Sequence, residues 1–196
     1  MLLNDRSSAL SLLATRRSGR PREMVAPGPS PDQLDQILTI ASRTPDHGKL
    51  TPWRFVIVSA EQRAALAKLL AAALPESDPA AGDAHFAKAA QFAHQAPTLV
   101  VLLSCPIEGH KIPVWEQRLS CGAVGMNLLH GAHALGFVGS WITGWAAYSA
   151  RVRNAFCRPG EEVAGFFFFG SPGAPLEERP RPALSSIASN WTPPQG

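Results

Sequence analysis

The chain has 196 residues, 45% hydrophobic and 17% charged, which is enough to bury one domain's core and fits neither a disordered nor a supercharged protein. Its net charge of +3 comes from scattered basic residues, which argues against a nucleic-acid face and favours an anionic small ligand. Three cysteines, Cys105, Cys121 and Cys157, are odd in number and form no CxxC pair, which speaks against a disulfide framework or four-cysteine zinc site and for a reducing, cytoplasmic compartment.

The first residues, Met1 to Ala14, include Asp5 and Arg6 and lack the apolar centre of a signal segment. Ala9, Leu10, Leu12 and Leu13 predict a short helix that Ser7 or Ser8 caps, running into Arg16-Arg17-Ser18-Gly19. A Pro/Gly-rich linker over 21–31 ends in Ser30-Pro31-Asp32-Gln33, a capping box with proline in the first turn. Leu34, Ile37, Leu38 and Ala41 follow at helical spacing, one buried face. A polar loop, Arg43 to Lys49, leads to a strand over 53–58; Ser59 opens a helix to about Leu74. A loop over 75–82 precedes a helix from Asp83 to Gln95. Thr98 to Ser104 reads as a strand buried on both faces. The longest helix, 115–135, carries Cys121, Gly125, Ala132 and Gly136 on one stripe, the mark of close packing against a partner element. The stretch between Arg118 and Arg151 carries no charge, yet its Asn127, His130, His133 and glycines oppose a membrane span and favour a buried helix followed by a strand. A strand over 137–143, a helix over 149–156 and an apolar strand over 163–169 follow, and then a Pro-rich tail without periodicity. The class is α+β, with about four strands in a single domain, 1–196.

Arg16-Arg17-Ser18 offers two guanidiniums and a hydroxyl suited to a phosphate, or else a pair of solvated helix-end arginines. Arg43 and His47 flank Thr44-Pro45-Asp46, a stiff turn that presents donors to a sugar phosphate or flavin edge, or a turn stabilised by Asp46. His130 and His133, at i, i+3, lack the companions of a metal site and read as packing or cleft residues. No Gly-x-Ser-x-Gly elbow, dinucleotide fingerprint or Walker loop occurs. The stretch 136–144 is a strand ending in a glycine-flanked turn, and Arg179-Pro180-Arg181-Pro182 adds two cations on a stiff arm.

In this order the pieces resemble the nitroreductase family of FMN-dependent enzymes, in particular its small bacterial NAD(P)H nitroreductase subfamily. The resemblance spans about Ala9 to Pro182 and rests on five short motifs in register. These are Arg16-Arg17-Ser18, Arg43 to His47 with Pro52-Trp53-Arg54-Phe55, His110 to Gln117, Gly136 to Gly144, and Gly165 to Pro172. It implies an α+β fold with a central, mostly antiparallel sheet flanked by helices, and an intertwined homodimer with two FMN molecules at the subunit interface. The small-residue stripe and the tail, 171–196, would then dock on the other subunit. By resemblance, Arg16, Arg17 and Ser18 hold the ribityl phosphate and ring edge, and Arg43 and His47 approach from the other chain. Trp141, Ile142 and Thr143 line the isoalloxazine or phosphate side, and Arg181 or Arg179 neutralises phosphate. The segment 131–136 borders the nicotinamide site. Ile142 departs from the polar residue frequent at its position and offers only backbone donors and apolar contact.

The expected activity is ping-pong hydride transfer from NADH or NADPH through FMN to a nitroaromatic or quinone acceptor, with no side-chain nucleophile and no metal. Arg16 or Arg17 is the expected partner of the reduced flavin's N1/O2 edge. The alternatives are a flavin-binding module without turnover, a more specialised flavin reductase or dehalogenase, and a basic nucleic-acid-binding domain, the last disfavoured by the scattered charge. The cysteines read as buried fillers.

Overall fold

The computed structural model describes residues 2–194. Five strands form its sheet: β1 (Met24–Val25), β2 (Trp53–Val58), β3 (Thr98–Ser104), β4 (Val138–Ile142) and β5 (Glu162–Pro172). β5 pairs with β1, β3 and β4, β3 pairs with β2, and each pairing is antiparallel. β3 and β5 are apolar without alternation because helices cover both faces of the sheet. Leu99, Val101, Leu103, Phe166 and Phe168 point to one side. Val100, Leu102, Phe167 and Phe169 point to the other, as the two-residue period of a strand requires. All four phenylalanines are fully buried.

One face receives α3 (Arg63–Ser77), α4 (Asp83–His94), α6 (Trp145–Tyr148) and α7 (Ala150–Phe156). Phe92 of α4 meets Phe166 and Phe168 edge-on, with ring centroids 5.3 and 5.2 Å away. The other face receives α2 (Pro31–Ala41) and α5 (Val114–Ala134). α1 (Ala9–Thr15) contacts α5. The predicted capping box of α2 is present: Gln33 N–H donates to Ser30 Oγ at 3.3 Å, and Ser30 N–H donates to Gln33 Oε1 at 3.0 Å.

Several boundaries differ from the sequence reading. α3 continues to Ser77 with Pro75 in its last turn, where a proline removes a single hydrogen bond and the chain is about to end its helix anyway. α4 is capped by Gly82, with Asp83 in its first turn. β1 hides inside the Pro/Gly-rich linker and pairs with Ser171 and Pro172, so β5 runs past Phe169 and the sheet has five strands rather than about four. The small-residue stripe finds its partner within the chain: Cys121 donates to Leu103 O at 3.7 Å, and Gly125 leaves room for the rings of Phe167 and Trp141. A leucine or valine at Gly125 would displace those rings.

The tail also begins on its own chain. Gly173 N–H donates to Glu23 O at 2.9 Å, and Arg17 Nε donates to Glu177 O at 2.6 Å. Further on, Leu184, Ile187 and Trp191 stand exposed. Among the described residues no helix is long and apolar enough to cross a membrane. The three cysteines are unpaired.

Candidate functional site

α1 ends at Thr15, and Arg16 takes the extended conformation at its C-cap, which turns the next residues outward. Asn4 fixes that turn from thirteen residues upstream. Its side-chain amide donates to Arg17 O at 3.1 Å, and its carbonyl accepts Arg17 N–H at 2.7 Å. Asn4 N–H and Asp5 N–H also donate to Thr15, through its carbonyl and hydroxyl oxygens respectively. Nothing local in the sequence marks Asn4, because its partners lie across a helix.

The half-buried Arg16 donates to Ser18 Oγ at 3.1 Å. Arg17 donates to Glu177 O and Ser18 O. Arg181 donates to Glu178 at 3.1 Å and touches Arg16 O at 3.5 Å. Arg16, Arg17, Arg179 and Arg181 thus gather around one carboxylate, that of Glu178. Burial, and then the neighbouring Arg181, Arg17 and Arg179, push the Arg16 pKa down. A group of like charges this close leaves positive potential unspent, and an anion with several acceptor oxygens would satisfy it.

This cluster lies beside the first residue of β4, since Gly19 packs against Val138. β4 pairs with β5 alone among the described residues and so forms an edge of the sheet. Four residues on, about 14 Å at ~3.4 Å per residue, β4 ends at Ile142 and the predicted turn begins. There Trp141 turns to the α5 side, its indole 5.1 Å from Phe167 and its Nε1–H donating to Ala164 O at 3.0 Å. Ile142 turns to the other side, and Thr143 is exposed before Gly144, whose φ of +84° suits glycine. Ile142 and Thr143 line a cavity of about 620 Å³ with Leu74, Phe92, Trp145 and Lys88.

Arg43 and His47 stand elsewhere. Their loop is held against α5, where Asn127 donates to Thr44 Oγ1 and Ser120 Oγ donates to Pro45 O, both at 2.8 Å. His47 Nδ1 lies 2.7 Å from Glu116 Oε2, and both Arg43 and His47 are exposed. Asp46 accepts Thr51 N–H at 2.7 Å, the stabilised turn that the sequence offered as one alternative. No hydrogen bond or ion pair among the described residues joins this loop to Arg16 or Arg181. Of the nine sequence-predicted residues, therefore, Arg16, Arg17, Ser18 and Arg181 meet. Trp141, Ile142 and Thr143 lie at the far end of the same strand, and Arg43 and His47 occupy a separate surface.

Beneath the arginines, His133 is fully buried, its Nε2 accepting Gly139 N–H at 3.3 Å. Burial, with Arg16 next in size, holds its pKa down to about 4. His133 is therefore a neutral packing residue joining α5 to β4. The thiols are similarly quiet: burial and Glu161 push Cys105 up to about 12, and burial pushes Cys121 up to about 11.

The chain and its fold have counterparts among known proteins. The model of the Nitroreductase family matches residues 13–171. The chain belongs to the nitroreductase family. A relative from Escherichia coli (strain K12), named "Putative NAD(P)H nitroreductase YdjA", is 36% identical over 167 residues, 84% of this chain and 88% of that protein. Among solved structures, a nitroreductase-like family protein from Bacillus cereus superposes with a TM-score of 0.76 at 20% identity, covering 94% of this chain and 96% of the other. A nitroreductase with bound FMN from Bacteroides fragilis superposes with a TM-score of 0.65 at 22% identity, covering 89% and 94%. These likenesses place the present fold among nitroreductases.

Proposed function

We propose that this nitroreductase binds FMN along the edge of β4 and transfers hydride from NADH or NADPH to nitroaromatic or quinone-type acceptors, working as a homodimer. The observation that carries this reading is the pairing of an under-neutralised arginine cluster at one end of an edge strand with an open cavity at the other end, about 14 Å away, whose lining combines Leu74, Phe92, Ile142 and Trp145 with polar side chains. That is the shape and polarity of a ligand with a phosphate at one end and a flat ring system at the other. The relatives named for NAD(P)H and the FMN-bound structure support the choice of ligand.

When bound, FMN supplies the redox chemistry, passing the nicotinamide's hydride to the acceptor. The chain's residues bind and orient it. Arg16, Arg17 and Arg181 hold the phosphate, with Ser18 as a hydroxyl donor, and Asn4 fixes the backbone that carries them. The Thr143 turn offers backbone donors to the ring edge, Ile142 supplies apolar contact, and Trp141 closes the α5 side. Arg43 and His47 complete the site of the partner subunit, which accounts for their distance from Arg16 in one chain. Leu10 and Leu13 on α1 and Trp115 and Leu119 on α5 are exposed apolar residues that such a partner would cover. The tail from Leu184 onward docks on it as well. Three free thiols suit a reducing compartment such as the cytoplasm.

The visible spectrum of the purified protein tests this reading. A flavin absorption band is expected, bleached under anaerobic conditions by NADH or NADPH and restored by a nitroaromatic or quinone. A flavin band that neither nucleotide bleaches would indicate a binding module without turnover, and a colourless protein that takes up no FMN would refute the reading altogether.

A further inference from the structure

We propose that Glu178 is an internal counter-ion that competes with the ligand's phosphate for the arginine cluster, and that it sets how strongly the site prefers a phosphorylated flavin to an unphosphorylated one. This rests on the flavin reading above and adds to it the residue that works against the arginines.

The tail is held where it passes the cluster. Gly173 N–H donates to Glu23 O at 2.9 Å, Leu176 packs against Gly19, and Glu177 O accepts Arg17 Nε–H at 2.6 Å. The two consecutive acids then take different partners. The Glu177 carboxylate lies 3.6 Å from Arg20, which also pairs with Glu23 at 3.0 Å, outside the cluster. Glu178 Oε1 accepts both Arg179 N–H at 2.8 Å and a guanidinium N–H of Arg181 at 3.1 Å. Among the described residues no other carboxylate lies within ion-pair distance of Arg16, Arg17, Arg179 or Arg181. The Arg179 N–H first, and then Arg181 and Arg17, hold the Glu178 carboxyl below the usual carboxylate range. Glu178 is therefore ionised at neutral pH, one negative charge among four positive ones.

A phosphate monoester brings about two negative charges at neutral pH and several acceptor oxygens. It needs the donors that Glu178 already uses, Arg181 above all. As it enters, Glu178 either releases Arg181 or stays and repels the newcomer, and each course weakens binding. The carboxylate also offsets the mutual repulsion of the arginines, a task that a phosphate would otherwise perform in full. A flavin without phosphate meets no such opposition, because its sugar-alcohol chain is uncharged. One unit charge at close range on a largely exposed surface changes affinity by a factor of about three to ten.

The test titrates the full-length protein, stripped of bound flavin, with FMN and with riboflavin, in wild type, Glu178→Gln and Glu177→Gln. Glutamine keeps the side chain's length and a carbonyl oxygen for Arg179 N–H and Arg181, and removes the charge. Glu178→Gln should bind FMN about three- to tenfold more tightly, with riboflavin affinity unchanged, and added salt should shrink the gain. Glu177→Gln should change FMN affinity by less. An equal gain in both variants would reflect net charge alone and overturn the assignment. A Glu178→Gln protein that binds FMN no better, or that gains as much for riboflavin, overturns it as well. Weaker FMN binding would make Glu178 a clamp on Arg181 and likewise overturn it. In each of these cases the flavin reading stands, whereas a wild type that binds no FMN overturns both.

Discussion

Arg17 shows how the proposed phosphate end is held in place by the chain itself. Its backbone is clamped twice by Asn4, and its guanidinium is steered by Glu177 O and Ser18 O. Little conformational entropy then remains to be lost on binding. Arg17→Ala should weaken FMN binding about 10–100-fold, the range of one charge-assisted hydrogen-bonding group. Fluorescence titration would measure this, with the dimer unaffected, and unchanged affinity would remove Arg17 from the site. Asn4→Ala should produce a smaller loss at the same end without removing any charge. His133 makes a separate prediction. Its imidazole stays neutral in the fold down to about pH 4, whereas the unfolded chain takes up a proton near the ordinary value of 6.5. Stability is therefore full above about pH 6.5 and declines as pH falls toward 4, by about 3 kcal/mol in all. Urea titrations at pH 7 and pH 5 read this directly, and His133→Gln should flatten the dependence. The arginine motif and the Thr143 turn were legible in the sequence because each is contiguous. Asn4 was not, since it acts across a helix.

At the level of elements, β4 matters most, because an edge strand presents unpaired backbone groups that an interior strand lacks. Its place is set by β5, whose phenylalanine run fills both faces of the sheet. Phe166→Ala should cost about 3–5 kcal/mol in chemical denaturation, as large-to-small changes in a closed core do. A loss under 1 kcal/mol would mean that the α4 side of the core is not packed as described. The continuous apolar run of β3 made its double burial readable in advance, that of β5 read only as an apolar strand, and the Ser30 to Gln33 signature made the start of α2 readable. What stayed hidden depends on distant partners. β1 is two residues within a proline-rich linker, a strand only because Ser171 and Pro172 lie beside it. The stripe on α5 signalled close packing correctly, but spacing alone could not say whether the neighbour was Phe167 of the same chain or a second copy.

For the whole molecule, the separation of Arg43 and His47 from the arginine cluster is the decisive feature. If two chains share each site, Arg17→Ala and Arg43→Ala damage opposite halves of it. Mixed and reassociated, the two variants should recover flavin binding at about a quarter of all sites, because half of randomly paired dimers are mixed and each of those has one intact site. No recovery on mixing would place Arg43 outside the site. Trp115→Glu, at an exposed apolar position of α5, should shift the protein toward monomer and lower its flavin content together.

The most direct measurement is the mass of the protein in solution by light scattering, read together with its flavin absorbance across the same chromatographic peak. The account predicts a particle of twice 20.9 kDa carrying one FMN per chain. A particle of 20.9 kDa that holds no flavin even after incubation with excess FMN would contradict it.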